Sequence, residues 1–242
     1  MLELVLNFLF GIKKIHQSCI ICGKLNNNLV CIDCEKRFDK YKKFNIIDNE
    51  KLIKDKIGIQ NVNIKQKYYL VNNEKIYWEK MMYCFDYKSI VRKYMLQYKF
   101  FDKAYLAKFF CYEILKNKKI YEILKNCDLI IPVPMDKIKK SIIGYNQTEL
   151  IVNIISKKLK IVSDNNVLEK VKSTKTQSTL KRKDRKNNVE NSYVVKCVEK
   201  VKNKKVVIFD DIYTTGSTVN EISKKLKQTG VRKIFVLVIA KD

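Results

Sequence analysis

Apolar strands and amphipathic helices alternate in the second half of the chain. The segments DLIIPVP, KKVVIFDDI and RKIFVLVIA are near-continuous apolar runs, which are typical of strands covered on both faces. Between them, NQTELIVNIISKKLK and STVNEISKKLKQTG place apolar residues at helical spacing, and Gly230 marks the end of the second helix. This alternation predicts an α/β fold, a parallel sheet flanked by helices. Ligands of such sheets bind beyond the carboxyl ends of the strands.

The first half of the chain is less regular. The segment KYYLVNNEKIYW predicts a β-hairpin that turns at Asn72–Asn73. From Ser89 to Asn117 the apolar residues follow helical spacing, which predicts two helices separated near residues 100–102. The N-terminal run MLELVLNFLF is too short to span a membrane, and it lacks the basic start and the cleavage site of a signal peptide. We therefore expect a short amphipathic helix there and a cytoplasmic protein without membrane insertion.

The charge of the chain is strongly positive. Fifty Lys and Arg residues against 25 Asp and Glu residues give a formal net charge of +25. A field of this size favours polyanionic partners, either nucleic acid or phosphorylated small molecules. The abundance of Lys, Asn and Ile together is also typical of an AT-rich coding sequence, so charge alone leaves nucleic-acid binding open.

Four cysteines near the N-terminus form two C-x2-C pairs. They are Cys19, Cys22, Cys31 and Cys34. Each pair can turn both sulfurs towards one point, and two facing pairs supply the four thiolates of a tetrahedral structural zinc site. An iron–sulfur cluster and a redox dithiol are the alternatives. A closed site of this kind stabilises the fold and has no open position for catalysis.

The segment IFDDIYTTGST places two adjacent acids at the end of an apolar strand. Asp210 and Asp211 can accept hydrogen bonds from a vicinal diol, such as the 2′- and 3′-hydroxyls of ribose. A helix then begins, where unpaired amides and the positive end of the helix dipole can hold a phosphate. The residues at this point are Thr214, Thr215, Gly216, Ser217 and Thr218. A phosphate site beside a diol site predicts a ribose 5-phosphate ligand, and the alternative is a capped helix after two solvated acids.

The chain resembles the ComF family, competence-associated proteins that are also named amidophosphoribosyltransferase-like. The similar stretches occur in the family's order, and they are CIICGK with CIDC, DYKSIVRKYMLQYKF, IIPVP with GYNQTEL, TKTQSTLKRKDRKNNVENSY and VVIFDDIYTTGSTV. We expect an N-terminal helix and zinc ribbon over residues 1–45 and a connecting segment with the hairpin over residues 46–85. A type I phosphoribosyltransferase domain would then occupy residues 86–242.

The resemblance implies a ligand and a reaction. The ligand would be 5-phosphoribosyl 1-diphosphate (PRPP) with Mg2+, and the reaction would transfer the phosphoribosyl group and release pyrophosphate. Asp210 and Asp211 are the implied catalytic residues, and Tyr213 to Thr218 form the implied PRPP-binding loop. The implied pyrophosphate loop is Pro134, Met135, Asp136 and Lys137. The implied flexible basic flap runs from Thr174 to Asn188 and contains Gln177, Lys181, Arg182 and Arg185.

One departure from the family bears on turnover. The family carries arginines between its Pro-Val-Pro and Gly-Phe-Asn-Gln blocks, whereas here Ile143 precedes Gly144, and Lys137, Lys139 and Lys140 are the basic residues. Lysine is a point charge without the bidentate geometry of arginine, so we expect a weaker grip on pyrophosphate. A ComF-like phosphoribosyltransferase in DNA uptake is the first hypothesis. The alternative is a non-catalytic competence factor that binds single-stranded DNA and keeps the PRPP pocket as a sensor or scaffold.

Overall fold

The computed structural model describes residues 17–49, 69–71, 74–172 and 189–242. The helix expected at the N-terminus and the turn at Asn72–Asn73 lie outside these ranges. So do the flap residues, namely Gln177, Lys181, Arg182 and Arg185. Within the described ranges, no helix has the length and apolar character that crossing a bilayer requires.

Twelve strands and seven α-helices are found in the described residues. The strands are β1 (Gln17–Ser18), β2 (Leu25–Asn26), β3 (Lys42–Asp48), β4 (Tyr69–Val71), β5 (Glu74–Ile76), β6 (Lys80–Asp86), β7 (Leu129–Pro132), β8 (Val162–Ser163), β9 (Leu168–Lys170), β10 (Tyr193–Val195), β11 (Lys205–Tyr213) and β12 (Lys233–Lys241). The helices are α1 (Ile32–Asp39), α2 (Ser89–Phe100), α3 (Leu106–Lys116), α4 (Lys118–Lys125), α5 (Lys137–Ile143), α6 (Gln147–Leu159) and α7 (Ser217–Gln228).

Six strands form one central sheet in the order β3-β6-β12-β11-β7-β8. All neighbouring pairs are parallel except β3 with β6, so β3 is an antiparallel edge strand. The predicted α/β fold with a mostly parallel sheet is confirmed, as are the two helices predicted between Ser89 and Asn117. Strands β4 and β5 pair antiparallel at the position of the predicted hairpin.

Helices cover both faces of the sheet because its strands are apolar on both sides. Val207 and Phe209 of β11 face one core, which they share with helices α1 to α4 and α6. Val206 and Ile208 face the opposite core, where α7 packs. Strands β3 and β6 belong to this sheet although they lie before residue 86, where the phosphoribosyltransferase domain is expected to begin. The division into three parts stays a prediction.

Candidate functional site

A crevice opens in the sheet between β7 and β11. Strand β7 pairs with β11 only as far as Pro132 and Phe209, whereas β12 follows β11 to Tyr213. The predicted strand end at the two acids is therefore wrong, because β11 continues through Asp210 and Asp211 on the backbone hydrogen bonds of β12. Beyond Phe209, no strand among the described residues pairs with the side of β11 that faces β7. In parallel sheets, such a crevice at the carboxyl ends of strands is the usual ligand site.

A cavity of about 530 Å³ lies at this crevice. The predicted site residues that line it are Asp210, Asp211, Pro134, Met135, Asp136, Thr214 and Thr218. The predicted site residues that do not line it are Lys137, Tyr213, Thr215, Gly216 and Ser217. The structure thus brings both acids together with parts of the two predicted phosphate-contacting loops.

The two acids differ in their electrostatic environments. Asp211 forms an ion pair with Lys99, whose Nζ lies 2.7 Å from Asp211 Oδ2. Burial raises the pKa of Asp210 to about 7, the negative charge of Asp211 adds to this rise, and Lys99 opposes it. Burial is the largest single influence on the pKa of Lys99 and acts to lower it, but the attraction and hydrogen bond of Asp211, together with the charge of Asp210, raise that pKa overall. Asp211 is therefore paired with Lys99, and Asp210 has a pKa near neutral pH.

The phosphate-loop candidate is a tight turn at the start of α7. Gly216 precedes the helix with a φ of 78°, in the left-handed region that favours glycine. A Cβ atom at this position would overlap the hydroxyl end of Tyr213, so any other residue here would require the Tyr213 side chain to move. Thr215 Oγ1 and Ser217 Oγ share a hydrogen bond of 2.9 Å. The Thr218 side chain hydrogen-bonds to Tyr193, which also lines the cavity.

The loop after β7 leads into helix α5. Asp136 is buried, and its Oδ1 accepts from the backbone N–H groups of Ile138 at 3.0 Å and Lys139 at 3.3 Å. This carboxylate therefore caps the helix. The Lys137 side chain is 82% exposed, and its Nζ lies 2.8 Å from Glu169. Lys139, and not Lys137, brings a positive charge to the cavity.

The GYNQTEL segment holds the walls of the cavity in place. Asn146 Nδ2 and Thr148 Oγ1 both donate to the Val133 carbonyl oxygen, at 3.2 and 2.8 Å. Gln147 Nε2 donates to the Lys99 carbonyl oxygen at 3.0 Å, and the Gln147 carbonyl oxygen accepts from the Tyr98 hydroxyl at 2.7 Å. The start of α6 thus connects the loop after β7 to the end of α2.

Four basic residues line the cavity but were absent from the predicted site. They are Arg92, Lys99, Lys139 and Lys170. Burial lowers the pKa of Lys170, and the positive charge of Lys139 lowers it further, as expected for two neighbouring cations. A signal for part of this set is present in the sequence, because residues 92, 96 and 99 are spaced four and three apart and share one face of a helix.

The four N-terminal cysteines come together as predicted. The sulfur atoms of Cys19, Cys22, Cys31 and Cys34 all lie within 4.8 Å of one another. Cys22 Sγ and Cys31 Sγ are 3.7 Å apart, and four sulfurs at about 2.3 Å from a tetrahedral ion lie about 3.8 Å from one another. Burial acts to raise the pKa of Cys19, but backbone N–H donors outweigh it and lower this pKa to about 7. The pKa of Cys34 shifts the other way, because burial and the neighbouring cysteine sulfurs raise it, so the match to a metal site rests on the positions of the sulfurs. The cluster therefore fits a metal ion bound by four thiolates.

Comparison with known proteins gives several relatives. The chain is 33% identical to Competence protein F of Haemophilus influenzae over 169 residues, which are 68% of this chain and 73% of that protein. It is 28% identical to the DNA utilization protein YhgH of Escherichia coli over 163 residues, 66% of this chain and 70% of that protein. It is 29% identical to Competence protein ComFC of Streptococcus pneumoniae over 159 residues, 64% of this chain and 66% of that protein.

Solved structures give a weaker likeness. A glutamine PRPP amidotransferase from B. subtilis, complexed with ADP and GMP, matches 49% of this chain and 26% of its own length with a TM-score of 0.32 and 17% identity. An allosteric regulatory enzyme of purine biosynthesis matches the same shares with a TM-score of 0.30 and 18% identity. TM-scores this low support no conclusion about fold. No family model matches the chain. The identity to Competence protein F, over more than two thirds of both chains, shows that this chain belongs to the ComF family.

Proposed function

We propose that the chain binds PRPP with Mg2+ in the 530 Å³ cavity and acts as a phosphoribosyltransferase in natural competence or DNA utilization. The observation that carries this proposal is the composition of the cavity. It combines the two acids of β11, the hydroxyls of Thr214 before α7 and of Thr218 in its first turn, and the basic residues Lys139 and Lys170. The family relatives, which are named for competence and DNA utilization, support the biological role.

Each part of PRPP would contact a different group of residues in the cavity. The 5-phosphate would bind at the start of α7, where the positive end of the helix dipole and the Thr214 and Thr218 hydroxyls favour an anion. The ribose hydroxyls would donate to Asp210 and Asp211. The diphosphate would face Lys139 and Lys170, and Mg2+ bound across it would neutralise part of its charge.

The acids would also act on the reaction itself. Positive charge develops on the ribose ring as the bond between C1 and the pyrophosphate oxygen lengthens, and fixed carboxylates beside the ring stabilise it. A nitrogen nucleophile would then form the new bond to C1 as pyrophosphate leaves. Lys99 is the positioning residue in this scheme, because its ion pair fixes the Asp211 carboxylate at the cavity wall.

The cysteine cluster would hold one structural zinc ion. Cys19, Cys22, Cys31 and Cys34 supply a complete tetrahedral set, so the ion would have no open position for a substrate. Its contribution would be to the stability of the N-terminal module. Metal analysis of the purified protein should find one zinc per chain, and a Cys22→Ser variant should lose it.

Calorimetric titration tests the proposed ligand. PRPP with Mg2+ should bind the wild type, and the Asp210→Asn/Asp211→Asn double variant should lose detectable binding. Glu122→Gln is the matched control, because it neutralises an exposed acid on α4 and should bind PRPP like the wild type. Unchanged affinity in the double variant would overturn the proposal.

Turnover is a separate measurement. Pyrophosphate release should be followed with purines, pyrimidines and ammonia as candidate acceptors. Release with one of these classes would identify the acceptor. PRPP binding without release from any of them would favour the non-catalytic alternative, in which the cavity serves as a sensor or scaffold.

A further inference from the structure

One end of the 530 Å³ cavity is not used by the proposed binding of PRPP. The 5-phosphate is placed against α7, the ribose against the two acids of β11, and the diphosphate against the lysines beyond β7. Further lining residues come from β11 beyond the acids, from the ends of β12 and β6, and from α2. They are Tyr87, Arg92, Leu96, Ile212 and Asp242, and we call this set the β6 end of the cavity.

Backbone hydrogen bonds hold the β6 end beside the two acids. Strands β6, β12 and β11 are parallel neighbours, so their carboxyl ends lie at the same edge of the sheet. The Tyr87 N–H donates to the Lys241 carbonyl oxygen at 2.8 Å, and the Asp242 N–H donates to the Tyr213 carbonyl oxygen at 2.9 Å. The side chains of Tyr87 and Ile212 pack against the core that α2 covers. This end of the cavity is therefore built on the sheet itself.

Helix α2 adds a cation to the β6 end. Arg92, Leu96 and Lys99 are spaced four and three apart, so they share one face of the helix, and all three line the cavity. Lys99 forms the ion pair with Asp211, whereas Arg92 forms no ion pair among the described residues. At 1.5 Å per residue, Arg92 lies about 10 Å from Lys99 along the helix axis. A guanidinium group without an anionic partner is thus separated from the acids by about the length of a small ring compound.

We propose that the β6 end binds the acceptor, and that the acceptor is a planar nitrogen heterocycle that carries a carboxylate; this inference rests on the proposed function. A nucleophile reaches C1 of the ribose from the side opposite the leaving pyrophosphate, where its orbital is aligned with the bond that breaks. Strands β7 and β12 lie on opposite sides of β11. With the diphosphate beyond β7, the nucleophile comes from the β12 side, which is the side of the β6 end.

The chemistry of the β6 end favours this class of acceptor. Tyr87, Leu96 and Ile212 offer apolar contacts to a flat ring, and the Arg92 guanidinium can hold a carboxylate with two parallel hydrogen bonds. The Asp242 carboxylate can accept a hydrogen bond from a ring N–H. Ammonia would use none of these groups, and a neutral base would leave Arg92 without an anion. As the nitrogen lone pair forms the bond to C1, the electron pair of the C1–O bond leaves with pyrophosphate, and a proton carried by that nitrogen passes to water.

Calorimetric titration in the presence of PRPP and Mg2+ tests this class with two pairs of small probes. Orotate and uracil share a ring and differ in a carboxylate, and nicotinate and nicotinamide differ in the charge of one substituent. Each carboxylate should bind the wild type about tenfold more tightly than its neutral partner, because it forms charge-assisted hydrogen bonds with Arg92.

Variants of two neighbouring residues on α2 test whether Arg92 causes the preference. Arg92→Gln should remove it, and Arg92→Lys should keep part of it, since lysine retains the charge but not the bidentate geometry. Lys93→Gln is the matched control, because it removes one positive charge at the next position and Lys93 does not line the cavity. Its preference should equal that of the wild type. Both side chains are exposed, so all four proteins should have the same melting temperature, which thermal unfolding checks.

Three results would overturn the proposal. The first is equal affinity of the wild type for both members of each pair, and the second is equal loss of the preference in Lys93→Gln and Arg92→Gln, which would show attraction of anions by the whole basic protein. The third is pyrophosphate release with ammonia or uracil but not with orotate or nicotinate. A wild type that does not bind PRPP would overturn the proposed function, whereas PRPP binding without a preference for carboxylates would overturn the acceptor alone.

Discussion

Replacing Asp210 by asparagine should make the ligand-free protein more stable, although it should abolish PRPP binding. Burial, followed by the charge of Asp211, raises the pKa of Asp210 from 3.8 to about 7. A difference of about 3 pKa units corresponds to about 4 kcal/mol, at about 1.36 kcal/mol per unit. This value is the upper bound of the gain in the free energy of unfolding above pH 7. The actual gain is smaller, because water reaches the half-buried side chain. The Oδ1 atom of asparagine can still accept the 2.9 Å hydrogen bond from the backbone N–H of Asp211.

The effect should depend on pH in a defined direction. Because the pKa is raised in the folded state, the folded protein binds more protons than the unfolded chain between about pH 4 and pH 7. The wild type therefore loses stability as pH rises through this window, and the advantage of Asp210→Asn grows over the same window and is constant above it. Urea unfolding at pH 5 and pH 8, without Mg2+ or PRPP, measures this difference.

Asp211→Asn is the matched control, and its effect should have the opposite sign. Removing this carboxylate leaves Lys99 without its partner at a site where the two side chains are 14% and 26% exposed. We expect a loss of about 1–3 kcal/mol, since a poorly hydrated cation loses its hydrogen-bonded partner and keeps only the attraction of Asp210. The reasoning is refuted if Asp210→Asn is less stable than the wild type at pH 8, or if its gain is the same at pH 5 and pH 8.

Three further predictions concern ligand binding and the metal. PRPP affinity with Mg2+ should rise about tenfold from pH 6 to pH 8, because the ionised form of Asp210 increases through a pKa of about 7, and a flat calorimetric profile would contradict this. Lys99→Met should move that profile to higher pH, because Lys99 lowers the pKa of Asp210; an unshifted profile would argue against contact between these charges. Removal of the metal with a chelator should lower the melting temperature of the wild type but not that of Cys22→Ser, whose equal response would show that the chelator acts elsewhere.

Much of the fold could be predicted because the central strands are apolar on both faces. Strands β7, β11 and β12 are near-continuous apolar runs, and such runs have few structural interpretations. Strand β3 was not predicted, because its sequence KKFNIID is half polar and its pairing with β6 is irregular between Lys42 and Asn45. An edge strand of this kind is held by backbone hydrogen bonds to its neighbour. Because these bonds do not depend on the side chains, the sequence of the strand gives little indication of them.

The candidate site could be predicted only in part for the same reason. Asp210 and Asp211 stand out because they interrupt an apolar run, but whether the strand continues through them depends on β12, which pairs through its backbone. Lys99 belongs to a segment 112 positions away from Asp211. Helical spacing shows that Lys99 shares a face with Arg92, but the spacing does not show which element that face contacts.

Helix α2 contacts both the cysteine cluster and the cavity, and it joins them in one structural unit. Its Tyr94 hydroxyl donates to the Ile21 carbonyl oxygen, within the first cysteine pair, at 3.3 Å. The Tyr94 ring also packs against Phe38 of α1, with 5.6 Å between the ring centroids. Five residues further along, the same helix carries Lys99, which forms the ion pair with Asp211. Since a helix is stiff over this distance, the packing of α2 against the cysteine cluster also sets where Lys99 reaches the cavity.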